Sequence, residues 1–323
     1  MAKTITNRAR LFKGVNAAYH VSTDLLKIYE KLGSIARDAL NYAMSIIEPG
    51  GIPIFELCDR VENRIRQSGG AKPAFPVNVS INEIAAHYTA VIGDKSVIPK
   101  GSIIKIDLGA HIDGYIVDTA VTVTFNPMYS QLIKASMKAL ETAQLSMKPG
   151  VTLTSIGAQI ERVIRSYGFK PIKNLSGHLI RKYELHAGKS VPNYDNGDKQ
   201  RINDGEVYAV EPFSTNGAGY VDDGEQVTIY QLIKNPRTKD PHYDVLSYIS
   251  NEIGPLPFTP RWLVPRFGDG IGNLIHELHM KDYIYGYPVL IEHGKGMVAQ
   301  VEDTFIITKD GAVPVVNVLS LLK

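Results

Sequence analysis

Two aspartates flank a dipeptide that is typical of tight β-hairpin turns. Asp113-Gly114 separates two stretches of alternating apolar residues within residues 103–125, so the sequence predicts two strands joined by a two-residue turn. With the dipeptide at the centre of the turn, the predicted pairs are 112 with 115, 109 with 118 and 107 with 120. Asp107 and Asp118 then lie diagonally on one face, and their apolar neighbours predict strands buried on both faces. Unpaired carboxylates are unfavourable there, so the pattern indicates a bound cation.

Two more acidic residues and three histidines have sequence contexts that suit the same site. Glu211 follows an alternating strand pattern, and Glu302 ends another one. His178 and His186 lie eight residues apart and would point the same way in a strand or a helix, and His87 precedes the hairpin. Four carboxylates with one imidazole suit Mn, Fe(II), Co or Zn, and two such ions about 3.5–4 Å apart commonly activate water. The residue types therefore predict metal-assisted hydrolysis.

The helices and strands that would position these residues occur in two copies. The predicted helices cover residues 23–47, 54–67, 132–147 and 153–167, and a Pro-Gly pair ends the first helix of each copy. Five positions of the second helices match in register: Leu57, Val61, Glu62, Ile65 and Arg66 with Ile156, Ile160, Glu161, Ile164 and Arg165. Glu211 holds the place in the second copy that Asp107 holds in the first. The sequence predicts an α+β fold with pseudo-twofold symmetry, a duplicated helix-helix-hairpin unit and a site between the halves.

Residues 225–284 have no counterpart in the first copy. They are rich in Pro and Tyr and contain short helical patterns such as 271–280, which predicts an inserted helical subdomain. Residues 1–22 are basic and precede the first helix, and a frayed tail is the expected structure. The predicted organisation is an extension over residues 1–22 and a catalytic domain over 23–323 that contains the insertion.

The composition excludes several classes of protein. The 323 residues carry a net charge of +2, which gives no general attraction to nucleic acid or membrane. No apolar run approaches the ~18 residues of a membrane-spanning helix, and the first residues lack a secretory signal pattern. We therefore expect a cytoplasmic protein with neither a membrane partner nor a specific nucleic-acid partner. A monomer is the expected state. The lone Cys58 lies in an apolar helical pattern and is predicted to belong to the core.

The sequence resembles the type II methionine aminopeptidases of the short form, which have the pita-bread (creatinase/aminopeptidase) fold. The motifs that carry the resemblance span nearly the whole chain and lie at residues 72–78, 82–88, 105–107, 118–120, 175–188, 210–213 and 285–288. The family has five metal ligands, and the resemblance places them on Asp107, Asp118, His178, Glu211 and Glu302. It also implies two divalent ions, which are Co, Mn, Fe(II) or Zn. Small departures are an extra residue at Ala71 and Asp303 where some members have histidine.

The resemblance further implies roles for three residues and an activity. His87 and His186 correspond to catalytic residues, and Phe75, His87 and His186 correspond to residues that bind the substrate. Glu211 is expected to be catalytic as well, as the proton shuttle of the hydrolysis. The implied reaction removes the initiator methionine from nascent proteins and peptides that have a small second residue, through a hydroxide activated by two metal ions. The partner is then the N-terminal methionine of a nascent polypeptide, with ribosome contact at most transient.

Two other functions are compatible with the same fold. One is a proline-specific peptidase such as prolidase or aminopeptidase P, although those enzymes usually carry an additional N-terminal domain. The other is a non-catalytic relative that binds RNA or ribosomes and lacks the metal ligands. The five intact ligands and the balanced charge argue against the non-catalytic relative. The short extension of about 22 residues, the segment over 82–88 and the insertion over 225–284 favour the methionine enzyme over the proline-specific one.

Overall fold

A computed structural model describes residues 23–322 of the chain. The first half contains helices α1 (Thr23–Ile46) and α2 (Ile54–Arg66) and strands β1 (Lys72–Ile81), β2 (Ile84–Ala86), β3 (Ile103–Ile112) and β4 (Tyr115–Thr124). A 3₁₀ turn at Pro127–Tyr129 leads to helices α3 (Ser130–Ser146) and α4 (Leu153–Ser166) and strands β5 (Lys170–Pro171), β6 (Ser176–Ile180), β7 (Ser190–Pro192), β8 (Val207–Val210) and β9 (Phe213–Thr215). All four predicted helices are present, with ends that differ from the prediction by two residues or fewer.

The remaining elements form a hairpin with helices between its strands and then close the domain. They are β10 (Val221–Leu232), α5 (Tyr243–Glu252), a 3₁₀ turn at Pro260–Leu263, α6 (Val264–Phe267), α7 (Ile271–Met280), β11 (Ile284–Glu292), β12 (Val298–Gln300), β13 (Asp303–Thr308), β14 (Gly311–Pro314) and a 3₁₀ turn at Val318–Ser320. The helix predicted over residues 271–280 is α7. The insertion over 225–284 stays a prediction, and the extension over 1–22 lies outside the described residues.

The helices pack on the strands through apolar faces that their sequences define. In α1, Leu32, Ala36 and Leu40 follow the spacing of one helix face and are fully buried. The helix ends just before Pro49-Gly50, where Gly50 has a φ of 72°, a conformation that favours glycine. Cys58 in α2 is fully buried, which confirms its predicted place in the core.

Helices α5 and α7 belong to a separate apolar cluster. Its fully buried members include Leu246, Ile249, Phe258, Leu263, Ile275 and Leu278. This cluster is distinct from the large core that α1 to α4 form with the strands. Within residues 23–322, no helix has the length and apolar character that crossing a membrane requires.

The hairpin around Asp113-Gly114 has the predicted register. Ile112 pairs with Tyr115, Gly109 with Asp118 and Asp107 with Ala120. Strand β1 pairs with the other edge of β3, so β3 lies at the centre of a three-stranded sheet in the order β1-β3-β4. The two aspartates are therefore fixed on adjacent strands by the turn sequence.

The second half contributes a five-stranded sheet in the order β14-β13-β8-β6-β7. His178 on β6 lies opposite Ala209 on β8, and Asp303 on β13 lies opposite Val210. An antiparallel bridge between Ala120 and Glu302 joins this sheet to β4 of the first half. The bridge brings the acidic residues of the two halves together.

Candidate metal centre

The five sequence-predicted ligands come from five different segments and meet between the two halves. Asp107 and Asp118 lie on β3 and β4, and His178 lies on β6. Glu211 follows the last residue of β8, and Glu302 occupies the break between β12 and β13. The predicted strand pattern ending at Glu302 is thus two short strands with the glutamate at their junction.

The distances between these side chains are short. Nε2 of His178 lies 3.4 Å from Oδ2 of Asp118 and 3.8 Å from Oε1 of Glu211. One ligand atom each from Asp118, His178 and Glu302 can be chosen such that all three lie within 4.8 Å of one another, and all three residues are buried. Such a spacing allows several of these side chains to contact one ion.

Burial makes this group of acids electrostatically unfavourable without a counterion. It raises the pKa of Asp118 to about 7. Burial also raises the pKa of Asp107, Glu211 and Glu302 well above their usual range, and repulsion from the neighbouring carboxylates adds to the effect. In the same surroundings the pKa of His178 falls to about 4, so its imidazole is neutral near pH 7 and can act as a ligand.

The donor set fits divalent cations. Oδ1 of Asp107 is buried and has no hydrogen-bond partner, and no lysine or arginine among residues 23–322 forms an ion pair with the four acids. Buried carboxylates need a positive charge nearby, and here a metal ion would supply it. Four oxygen ligands and one imidazole suit Mn, Fe(II), Co or Zn.

His186 lies beside the acidic cluster, but for a different reason from the one predicted. Its ring centroid is 4.2 Å from that of His178. The prediction of one continuous strand or helix over 178–186 is wrong, because β6 ends at Ile180 and the chain turns back. The amide of Ala187 donates to Leu179 at 2.7 Å, which closes this turn and returns His186 to the neighbourhood of His178. His186 is exposed, at the open side of the cluster.

His87 and Phe75 lie beside the same acidic cluster. The Nδ1 atom of His87 lies 3.2 Å from the carbonyl oxygen of Pro288. Desolvation in the cleft lowers the pKa of His186, and the proximity of His178 and His87 lowers it further. Phe75 on β1 lies opposite Gly109, so its ring forms an apolar wall beside the β3–β4 pair that carries the aspartates.

Gln300 is a site residue that the sequence reasoning missed. Its Nε2 atom donates to Oε2 of Glu302 at 3.0 Å and to Oε2 of Glu211 at 3.4 Å. A signal was available, because residues two apart in a strand lie on the same face and Gln300 precedes Glu302 by two. Asp303, by contrast, accepts bonds from the amides of Val316 and Val318 and serves the C-terminal turn.

A buried cluster of carboxylates and imidazole on a duplicated α+β fold is the arrangement of a metallopeptidase, and a family comparison agrees. The model of metallopeptidase family M24 matches residues 27–309, and the chain belongs to this family. Within it, the chain is a member of the methionine aminopeptidase group. The methionine aminopeptidase of Methanocaldococcus jannaschii is 43% identical to it over 88% of this chain and 96% of that protein.

Solved structures share the fold. A thermophilic Arx1 superposes with a TM-score of 0.80 over 91% of both chains at 20% identity. The methionine aminopeptidase of Rickettsia prowazekii superposes with a TM-score of 0.66 over 93% of this chain and 100% of that one, also at 20% identity. At this identity the likeness shows the fold alone, and the predicted pita-bread fold is confirmed.

Proposed function

We propose that this protein is an aminopeptidase that removes the N-terminal methionine of proteins and peptides and prefers a small second residue. The observation that carries the proposal is the meeting of four acidic side chains and a neutral imidazole between the halves of a methionine aminopeptidase-family chain. Relatives of this similarity are named for that activity, which favours it over a proline-specific or a non-catalytic function.

The five predicted ligands would hold two divalent ions. These residues are Asp107, Asp118, His178, Glu211 and Glu302. When bound, the ions supply Lewis-acid stabilisation at the substrate carbonyl and ease the deprotonation of a nearby water. Which of Mn, Fe(II), Co or Zn is bound in the cell depends on availability as well as on these ligands.

Glu211 is the proposed proton carrier. Its side chain is 15% exposed, against 6% for Asp118, so it can reach a water molecule in the cleft. As a carboxylate at the edge of the cluster, it can take a proton from the attacking water and give it to the leaving nitrogen.

The two histidines beside the cluster are proposed to act on the substrate peptide. His186 is exposed to the cleft, where it can donate a hydrogen bond to the carbonyl oxygen as negative charge develops there. His87 donates through Nδ1 to Pro288, which leaves Nε2 to orient the part of the peptide that contains the leaving nitrogen.

Phe75 is proposed to contact the methionine side chain. The residue is 6% exposed and presents an aromatic surface beside the aspartate-bearing strands. An unbranched thioether packs well against an aromatic ring. We further propose that the protein acts as a cytoplasmic monomer on nascent chains, with the insertion over 225–284 and the extension over 1–22 as predicted.

The test measures release of the first residue from Met-Ala-Ser, Met-Leu-Ser, Ala-Ala-Ser and Ala-Pro-Ser. The protein is stripped of metal and then supplied with Mn, Fe(II), Co or Zn. Cleavage of Met-Ala-Ser that requires a metal, with little cleavage of the other three peptides, is the expected result. Cleavage chiefly of Ala-Pro-Ser would establish the proline-specific alternative, and no cleavage with any metal would refute the enzymatic function.

The His186→Ala variant tests the assigned mechanism. It should fold and bind metal as the wild type does, with turnover lower by about 10²–10³, which is typical for the loss of one oxyanion donor. Turnover near the wild-type value would exclude this role for His186.

A further inference from the structure

His87 has an uncommon backbone conformation for a residue with a side chain. It follows β2 and has a φ of 66°, in the left-handed region that residues other than glycine rarely occupy. Such a conformation persists where the surrounding contacts fix it, and it is frequent at functional sites. The contacts that fix His87 come from β10 and β11, far away in the sequence.

Strand β10 carries a β-bulge opposite Pro288. Val227 pairs with Pro288 and Ile229 pairs with Tyr287, so Thr228 is an additional residue in the ladder. A bulge interrupts the alternation of side chains and redirects one of them, and bulges are frequent next to active sites. The opposing proline has no amide hydrogen to donate, which is the usual setting of a proline within a sheet.

The redirected side chain of Thr228 holds the backbone on both sides of Tyr88, directly after the His87 side chain. Its hydroxyl donates to the carbonyl oxygen of His87 at 3.0 Å and accepts from the amide of Thr89 at 3.2 Å. Thr228 is 1% exposed, so water cannot replace these two bonds. One hydroxyl group therefore bridges the residues that precede and follow Tyr88.

The imidazole ring of His87 is fixed from the opposing strand. Because a carbonyl oxygen can only accept, the 3.2 Å contact with Pro288 requires the hydrogen on Nδ1. Tyr287 contacts the ring edge-on, with centroids 5.6 Å apart. The two strands around the bulge thus determine both the backbone and the tautomer of His87.

The residues after His87 are held from the other side by Arg261. Its guanidinium donates to the hydroxyl of Thr89 at 3.2 Å and to the carbonyl oxygen of Ala90 at 3.3 Å. The same guanidinium is anchored on both carboxylate oxygens of the buried Glu62, at 2.7 and 2.8 Å. Thr228 therefore acts on a segment whose far end is already fixed.

We propose that Thr228 is a positioning residue for His87 and sets the orientation of its ring through the backbone. The proposal rests on the role given to His87 above. Thr228 lies in the segment 225–284 that has no counterpart in the first copy. That segment is thereby part of the catalytic apparatus, since it supplies the hydroxyl that holds a catalytic residue in place.

The test compares Thr228→Val with Thr228→Ser in the metal-loaded protein. Valine keeps the shape but removes the hydroxyl, and serine keeps the hydroxyl. We expect Thr228→Val to lower kcat on Met-Ala-Ser about tenfold with little change in KM, which corresponds to the loss of a hydrogen bond of ordinary strength. Thr228→Ser should stay within about twofold of the wild type, because it retains the hydrogen-bonding group.

Thr259→Val is the matched control. Thr259 lies in the same segment, is fully buried, and its hydroxyl has no hydrogen-bond partner among the described residues. The Thr259→Val substitution should therefore leave kcat unchanged. Metal affinity, measured by calorimetry, should equal the wild-type value in all three variants, because none of them touches a predicted ligand.

The same substitution in a His87→Ala background separates positioning from general damage. Thr228→Val should cause no further loss of kcat there, because its effect passes through the His87 ring. Wild-type kcat in Thr228→Val, or an equal loss in the His87→Ala background, would overturn the proposal.

A spectroscopic measurement makes the proposal independent of the activity. The ring nitrogen signals of ¹⁵N-labelled histidine, with His87 assigned by its absence in His87→Ala, should shift in Thr228→Val and remain in place in Thr259→Val. If the wild type cleaves no peptide, the proposed function fails, while an unchanged His87 signal in Thr228→Val would refute the positioning role alone.

Discussion

Nε2 of Gln300 lies 3.0 Å from Oε2 of Glu302, two residues further along the chain. The same nitrogen also donates to Glu211 at 3.4 Å, and Gln300 is 1% exposed. A single amide group thus supports two of the proposed ligands, which follow different strands. Groups that hydrogen-bond to metal ligands in this way fix the orientation of the ligands, and removing such groups commonly weakens metal binding.

Gln300→Leu should therefore weaken metal binding. Leucine fills a similar volume but donates no hydrogen bond, so both glutamates lose their fixed orientation. We expect affinity for Mn or Co to fall about 10- to 100-fold in calorimetry on the metal-stripped protein. Gln159→Leu is the control, because Gln159 in α4 bonds to Ser146 and Ser155 in the helical layer. Equal affinity in the two variants would contradict the role of Gln300.

His111 is predicted to make stability depend on pH. The residue lies on β3, is 9% exposed, and its Nδ1 accepts from the amide of Gly114. Burial and then the charge of Lys72 lower its pKa from 6.5 to about 4. Between these values the unfolded chain binds a proton that the folded protein does not. Above pH 6.5 His111 is neutral in both states and does not lower the free energy of unfolding. As the pH falls from 6.5 towards 4, the free energy of unfolding decreases by at most about 3 kcal/mol.

His111→Asn should flatten this dependence, because asparagine keeps an acceptor for Gly114 and does not titrate. Urea unfolding between pH 7 and pH 4 gives the free energy of unfolding of both proteins, and their difference at each pH isolates His111 from the other groups that titrate in this range. His242→Asn serves as the control, since His242 is exposed before α5. A wild-type slope in His111→Asn would show that other groups dominate the dependence.

The hairpin shows what the sequence could determine. A two-residue turn fixes the register of both flanking strands, so Asp113-Gly114 was enough to place Asp107 and Asp118 on adjacent strands. Helices α1 to α4 were predictable for a similar reason, because their apolar spacing and the Pro-Gly pairs after α1 and α3 are local features.

Contacts across the fold were not predictable from local patterns. His186 was expected near His178 because of its spacing, but a chain reversal after β6 brings it there. Thr228 reaches His87 only because β10 contains a bulge. The position of a bulge depends on the pairing of β10 with β11, which no stretch of either strand reveals by itself.

The ion pair of Arg261 with Glu62 is predicted to contribute strongly to stability. It joins the segment 225–284 to α2, with side chains 3% and 0% exposed. Arg261→Met removes the nearer cation of the buried Glu62 carboxylate and leaves only the longer contact with Arg66, at 3.4 Å, so we expect urea unfolding to show a loss of about 3 kcal/mol. Arg64→Met removes a similar two-bond pair with Asp38 whose side chains are 49% and 46% exposed, and should lose much less, because water already solvates both groups. Similar losses in the two variants would show that burial does not decide the effect.

Gly109 is predicted to set the position of the Phe75 ring. A Cβ atom on residue 109 would lie 2.3 Å from Cε1 of Phe75, so Gly109→Ala must displace the ring. If that ring contacts the methionine side chain, KM for Met-Ala-Ser should rise about tenfold, a typical effect of altering an apolar pocket by one methyl-sized group.

A second glycine provides the comparison for this substitution. Gly270, before α7, has a φ of −68° and no atom within 4 Å of an added Cβ, so Gly270→Ala should leave KM unchanged. Calorimetry on both variants distinguishes a displaced pocket wall from a damaged metal centre, because Gly109 pairs with Asp118. A higher KM with wild-type metal affinity would assign Phe75 to the substrate pocket. An unchanged KM in Gly109→Ala would mean that the methionine side chain binds elsewhere in the cleft.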